Sequence, residues 1–387
     1  MLLSTAIILY SVLLTHALPT NRVVSVLTTS PLAAQDLPFG KTAISRDDMA
    51  ELRRSALAVN TAYCPMNKLL EPHPAQTGQK GGPQRISSRK SSIVAASKNA
   101  EFQSLEQEVD MSWYISHTPA TQTLTLAFSS LPNVDELLEL LASSNVNSTS
   151  DDDLLVPLPP YIFPPEYQPH VFPPRIHHSY IPALETHGTA ALLALLDLIE
   201  SPPVPAMTSS DTFASLLRPF KKRTDSEYTK SVSPKPIRKV EIVGHGLGSA
   251  IGLLVAAALH LEISTPTAQE YTLPLPLVEI SATLFGLPRV GDQSFANWVD
   301  SMVLSSLHKV RISRVTSYAD TIPHLPERHL ELRHPSLGEI WVGADPRIAY
   351  ACRSAVEHDE SDLCSASIPL PKTSLLDHEG PFGGIWI

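Results

Sequence analysis

The chain has 387 residues, 43% of them apolar, and a formal net charge of −10. That length buries a full core as one large domain or two, and the acidic balance argues against a nucleic-acid partner. Three cysteines are present, Cys64, Cys352 and Cys364; in an oxidising compartment Cys352 and Cys364 are spaced to close a local loop, which leaves Cys64 odd.

The chain opens MLLSTAIILYSVLLTHALPT, with an apolar run from Leu2 to Leu14. The run is short for a bilayer span, and Thr15-His16-Ala17 closes it with a small residue where a signal peptidase cuts. Residues 1–17 therefore read as a secretory signal peptide, although no Lys or Arg precedes the run. Residues 18–387 read as the secreted, extracellular chain. No later stretch reads as long enough to span a bilayer.

DDMAELRRSALAVNTAYC (Asp47 to Cys64) predicts a helix with acidic residues at its start. A basic, Gly/Ser-rich stretch follows and reads as a disordered or looped insertion over about 66–100. TQTLTLAF (Thr121 to Phe128) alternates as a strand does. NVDELLELLAS (Asn133 to Ser143) predicts a short amphipathic helix. Its apolar side, Val134, Leu137, Leu138 and Leu141, either packs on the core or serves at a surface, covering a cleft or meeting lipid. Residues 144–175 are Asp-, Ser- and Pro-rich, which excludes a core helix or central strand there. They include the sequon Asn147-Ser148-Thr149. TAALLALLDLIE (Thr189 to Glu200) predicts a helix, and a third irregular insertion covers about 201–237. Strands are then predicted from Val240, at Leu277 to Gly286, Lys309 to Asp320 and Gly338 to Gly343. Strands alternating with helices imply an α/β protein with a mostly parallel sheet and crossover helices.

VEIVGHGLGSAIGLLVAAAL, from Val240, reads as strand, tight turn and helix. This is the setting of the G-x-S-x-G elbow that holds up a nucleophilic serine. Here Gly244, His245, Gly246, Leu247 and Gly248 supply all but the serine, because Gly246 stands at the apex. Strained apex backbone tolerates glycine better than serine, so the exchange removes a nucleophile and preserves the fold. A dinucleotide-binding turn is the weaker reading, since it needs a third glycine and an acidic residue at a downstream strand end. Acyl-transfer triads on such an elbow run nucleophile, Asp, His along the chain. SYADTIPHLP places Asp320 just after a strand, and LLDHEGPFGG places His378 in a late loop. An aspartate there holds the imidazole tautomer, and the imidazole accepts the serine proton. Taken singly, each is an ordinary turn or surface residue. Ser249, one turn below the apex, is expected to point away from the cleft. His324, His329 and His334 recur every five residues among prolines and share no helical face. They read as solvated loop histidines, as do His177 and His178, so neither a metal nor a cofactor is expected.

These segments together resemble the fungal class 3 lipases, α/β-hydrolases that include secreted triacylglycerol lipases and feruloyl-type esterases, and most of all the basidiomycete group. The likeness runs through AYC (Ala62 to Cys64), VGHGLGSAIGLL, LFGLPRVGDQSFANWVD (Leu284 to Asp300), ADTIPHLP, HPSLGEIWV, SDLCSASIP and LLDHEGPFGG, and is dense after Val240. It implies an α/β-hydrolase fold over residues 18–387, with a lipid or ester small molecule as substrate or ligand and contact with a lipid interface. It carries the catalytic acid to Asp320, the base to His378, an oxyanion donor to the Leu247 amide and the nucleophile position to Gly246, which cannot perform that role. The family's oxyanion strand ends F-R-G-T or H-Q-G-T. Here Ala127-Phe128-Ser129-Ser130-Leu131 lacks the glycine and the fourth-position hydroxyl, unless the register slips by one and Ser130 serves. The resemblance also pairs cysteines in the segment of Cys352 and Cys364, with Cys64 then a buried thiol. The expectation is a secreted lipase-like pseudoenzyme, or a non-catalytic module binding lipid or a partner on the same fold. A serine restored at position 246 is expected to reach His378 at about 2.6–3.2 Å.

Overall fold

The computed structural model describes residues 40–64, 91–97, 110–142, 154–169, 171–203, 235–264, 278–304, 310–354 and 360–387. The signal-peptide reading, the sequon at Asn147 and most of the 201–237 insertion lie outside the described residues. In chain order the strands are β1 (Gly40–Ala43), β2 (Ser92–Ala96), β3 (Trp113–Thr118), β4 (Thr123–Phe128), β5 (Leu155–Pro157), β6 (Arg175–His177), β7 (Lys239–His245), β8 (Glu279–Phe285), β9 (Gly291–Asp292), β10 (Val310–Ser317), β11 (Leu332–Arg333), β12 (Glu339–Val342) and β13 (Ala349–Arg353). Among the described residues five longer helices accompany them: α1 (Arg46–Ala62), α2 (Val134–Ala142), α3 (Thr189–Glu200), α4 (Leu247–Ser264) and α5 (Gln293–Leu304).

Nine strands form the main sheet in the order β1-β13-β12-β10-β8-β7-β4-β3-β2. The run from β12 to β4 is parallel, and antiparallel strands flank it on both sides. The strand period of two sorts side chains onto two cores. Leu124, Leu126 and Phe128 of β4, Val240 and Ile242 of β7, and Ile280, Ala282 and Leu284 of β8 face the layer of α2, α3, α4 and α5. Ala127, Val243, Phe285 and Val315 face Met49, Leu52, Ala56 and Val59 of α1. Spacing of three and four along α1 sets that stripe, and a capping box starts the helix: Asp48 N–H donates to Ser45 Oγ (3.1 Å) and Ser45 N–H to Asp48 Oδ2 (3.2 Å).

Helix α4 is apolar all round because it runs against the sheet and under α3. Its residues from Leu247 to His260 are all buried. By length and composition it would also cross a membrane, contrary to the expectation that no later stretch is long enough, but 78% of that stretch is buried within the protein. Helix α2 packs Leu137 and Leu141 into the main core, the first of its two expected roles.

Two sequence expectations need correction. The 66–100 stretch contains β2, which closes one edge of the main sheet. The 144–175 stretch contributes β5 and part of the core, with Leu158, Ile162 and Phe163 buried. The prolines are still accommodated as expected, since β5 is the edge strand of the small sheet β11-β9-β6-β5. Proline fixes the extended turns, and the apolar residues between them anchor the segment. Cys64 is a third correction: it is exposed, because it lies beyond Tyr63, the C-cap of α1, past the end of the buried stripe.

Cys352 and Cys364 are disulfide-bonded. Close to this bond the chain inserts Glu360 beneath the loop that follows β8. Arg289 donates through Nε and Nη2 to the two Glu360 oxygens, both at 2.9 Å, and through Nη1 to the Pro326 carbonyl at 3.0 Å. Both side chains are buried. Burial opposes the Glu360 charge, but the Arg289 fork and the neighbouring His334 and Arg314 outweigh it and hold the carboxyl well below its usual range. Removing one partner leaves the other charge buried and unpaired. Glu360→Gln is expected to cost about 3–5 kcal/mol in urea unfolding; a loss below about 1 kcal/mol would show that water reaches the pair.

Candidate active site

Strand β7 ends at His245, and α4 begins at Leu247. Between them Gly246 adopts φ +50°, the left-handed turn that side chains resist. Its N–H donates to the Phe285 carbonyl at 3.0 Å, and its carbonyl accepts the Ser249 and Ala250 amides at 3.1 and 3.3 Å. The turn is closed by contact between backbones. A Cβ on Gly248 would lie 2.0 Å from the Ser129 carbonyl oxygen, and one on Gly244 would lie 2.3 Å from the Gly248 oxygen. The flanking glycines are therefore needed for the start of α4 to seat against the ends of β4 and β7. The Ser249 hydroxyl donates to the Gly246 carbonyl at 2.5 Å and does not join the other site residues.

Asp320 follows β10 and is fully buried. Its Oδ1 accepts the Ile322 amide at 2.9 Å, and both carboxylate oxygens lie 3.1 Å from His378 Nδ1. A carboxylate only accepts, so Nδ1 carries a proton, and in the neutral imidazole Nε2 holds the lone pair. His378 Nε2 is buried without a partner. It lies 3.0 Å from a Cβ placed on Gly246. The His378 loop is held beside Asp320 by the Ser374 amide, which donates to the Ala319 carbonyl at 2.8 Å. Gly286, at φ +54°, makes room for the pair: a Cβ there would lie 2.6 Å from His378 Cε1 and 3.0 Å from Asp320 Oδ2.

Leu247 and Ser130 also meet at the apex. The Leu247 amide donates to Ser130 Oγ at 3.1 Å. Ser130 is buried, and Leu131, partly buried, packs against the core.

Two further residues, Tyr63 and His245, were not singled out as site residues from sequence. The Ser130 amide donates to Tyr63 Oη at 2.9 Å, Tyr63 Oη bonds His245 Nδ1 at 2.7 Å, and His245 Nε2 bonds the His378 carbonyl at 2.8 Å. A carbonyl only accepts, so His245 carries its proton on Nε2, and Tyr63 donates to Nδ1. The two imidazoles stack with centroids 4.2 Å apart. Burial, reinforced by the neighbouring His378, pushes His245 well below the usual histidine range, against the opposing pull of its bond to the His378 carbonyl. The sequence signals were the histidine inside the elbow and the tyrosine of AYC, but nothing in one chain joins them to residues 67 and 133 positions away.

The histidine readings divide. His329 is exposed, as expected of a loop residue. His334 is buried and bonds the Pro323 carbonyl at 2.9 Å, and His324 bonds the carbonyls of Asp320 and Ser365. His177 is also buried, with Nδ1 2.7 Å from Ser179 Oγ, and packs against His178. These four are parts of the folded framework, not solvated loop residues, because each has carbonyl, hydroxyl or ring partners inside it. Among the described residues the closest metal-like grouping is Glu339 with Cys352 and Cys364, whose sulfurs are joined to each other.

Comparison with known proteins places these features in context. A family model described as Lipase (class 3) matches residues 187–330, which include the elbow and Asp320. The chain is 36% identical over 104 residues to a secreted mono- and diacylglycerol lipase, MDL2, of Malassezia globosa, covering 27% of this chain and 28% of that one. It is 34% identical over 152 residues to a lipase of Rhizomucor miehei, covering 38% and 36%. The matches thus span well under half the length of these relatives. Among solved structures, the Lip2 lipase of Yarrowia lipolytica aligns with a TM-score of 0.57 at 15% identity, over 89% of this chain and 97% of that one. A triacylglycerol lipase whose catalytic centre is formed by a serine protease triad aligns at a TM-score of 0.55 and 20% identity, with the same coverage. The fold is that of the α/β-hydrolases.

The buried histidines give the protein an acid limb. Burial depresses His245 and His334 well below 6.5, and burial plus the neighbouring His178 lowers His177 to about 4. Each is neutral when folded and charged when unfolded below about pH 6.5. Their contribution is intact above that pH and is lost as pH falls from 6.5 toward the folded values, by at most about 1.4 kcal/mol per pH unit for each. Urea unfolding at pH 5 is expected to show lower stability than at pH 7.5; equal midpoints would contradict this.

Proposed function

We propose that this protein is a secreted relative of the class 3 lipases with a cleft for carboxylic esters of fatty acids, and that acyl transfer at its elbow is absent or strongly impaired because position 246 offers no hydroxyl. The observation that carries this reading is His378 Nε2, buried, unpartnered and 3.0 Å from where the first side-chain atom of residue 246 would stand. In this reading Asp320 holds His378 in the tautomer that presents a lone pair to the apex. With a serine there, that lone pair would take the hydroxyl proton and later return it to the leaving alcohol. Without one, the pair retains a base and no nucleophile. Binding and the remaining dipoles supply only the residual catalysis left when a triad member is removed, about 10³–10⁴-fold over water.

A second reading, a non-catalytic module binding lipid or a partner, is favoured by one observation: the Leu247 amide already donates to Ser130 Oγ, so a donor suited to an oxyanion is satisfied internally. Secretion through a signal peptide cut after Ala17 belongs to either reading, and the relatives named as secreted support it.

The full-length chain, expressed with its leader and recovered from the medium, separates these readings. Hydrolysis of a short-chain nitrophenyl ester and of emulsified triglyceride is expected to stay within about 10⁴-fold of the uncatalysed rate. Weak turnover that is lost in His378→Ala supports the impaired hydrolase. No turnover with saturable binding of a fluorescent fatty-acid ester supports the module. Turnover near the ordinary enzymatic scale of about 10 s⁻¹ would overturn both.

A further inference from the structure

Positions 130 and 246 face one another across the mouth of the elbow. A Cβ on Gly246 would lie 2.4 Å from Ser130 Oγ and 3.0 Å from Ser130 Cβ, with His378 Nε2 at 3.0 Å. Carbon contacts settle at about 3.5–4.0 Å, so something must give. His378 has little freedom, because its ring is held by Asp320 and stacked on His245. The Ser130 backbone cannot readily retreat either. Its amide is bonded to Tyr63, the Ser129 amide donates to the Ser112 carbonyl at 2.9 Å, and the Ser112 amide donates to Ser129 Oγ at 2.9 Å. The Ser130 side chain is itself buried, and its oxygen is fixed by the Leu247 amide. Turning it away would give up that bond.

From this crowding we infer that positions 130 and 246 are mutually exclusive serine sites. One hydroxymethyl group fits between the end of β4, the first amide of α4 and His378 Nε2. In this protein Ser130 supplies it, filling the space of a nucleophile and taking the Leu247 amide. Ser130 thereby seals the elbow. Restoring a serine at 246 alone therefore does not suffice, and removal of the Ser130 side chain must accompany it. This inference rests on the acyl-transfer reading of the site for its catalytic consequence, but its steric part stands independently.

The chemistry of the doubly substituted site balances without a further reactant. The hydroxyl introduced at 246 gives its proton to His378 Nε2 as its oxygen attacks an ester carbonyl. The carbonyl oxygen takes up the negative charge beside the freed Leu247 amide. The ester C–O bond then breaks, and the alcohol leaves with the proton. With a fluorophosphonate the new bond is O–P, and fluoride leaves.

The test compares full-length Gly246→Ser, Ser130→Gly and the double variant by thermal unfolding and by fluorophosphonate labelling read as intact mass. Gly246→Ser is expected to lower the melting temperature by roughly 2–6 °C relative to the parent, and by clearly less when introduced into Ser130→Gly. The double variant is expected to label at least about tenfold faster than Gly246→Ser, and Ser130→Gly alone not to label. Gly246→Ser combined with Ser130→Ala, which removes the hydroxyl and keeps the Cβ, is expected to fall between them. Equal melting shifts in both backgrounds with equal labelling rates would overturn the inference. Coupled melting shifts without labelling of either serine-bearing variant would support the exclusion and remove the acyl-transfer reading on which its catalytic part rests.

Discussion

The close seating of α4 against the end of β4 is the constraint on which the rest of the site depends. Only backbone separates them, with the Gly248 position against the Ser129 carbonyl. That contact directs the free amide at the start of α4 toward Ser130 and brings Gly246 to the top of the parallel strands. A side chain at 244 or 248 would push the helix outward and dissolve the geometry. Gly246 fits this seating, because glycine accepts the left-handed turn without strain. The fold thus depends on the glycines that flank the apex, while in the proposed reading the chemistry depends on the apex itself.

The imidazole is placed from the other side of the site by a long C-terminal segment fastened at several points. The disulfide at Cys364, the buried Glu360–Arg289 pair and the Ser374–Ala319 hydrogen bond fix its course before His378. Asp320 then sets the tautomer, and the Tyr63–His245 chain ties the His378 carbonyl to the end of β4. Such a buried network is satisfied at every link except His378 Nε2. An orphaned lone pair in an otherwise paired network marks where a hydrogen-bond donor would be expected.

The sequence revealed those parts whose signal is local. Alternation located β4, the apolar run located β7 and α4, and a helical stretch with acidic residues at its start located α1. The order Gly246, Asp320, His378 was enough to nominate three residues that the fold does bring together. Composition misled where it averages over short elements: the five residues of β2 sit beside a basic, serine-rich stretch, and Phe163 sits among prolines. Cys64 was misplaced because the helix stripe ends just before it. The missed relations are those between distant residues. The glycine at 246 and the serine at 130 were each noted as departures from a family pattern, but only in space do they become one fact, a single volume contested by two side chains.

The central proposal is that this protein holds a base and its orienting acid around an apex that has no nucleophile. Exposure of the unmodified full-length chain to a fluorophosphonate, followed by intact mass and peptide mapping, tests it most directly. The account predicts no adduct under conditions that label serine hydrolases fully. An adduct on any serine of this chain that disappears in His378→Ala, whether at Ser130, Ser249 or elsewhere, would contradict it.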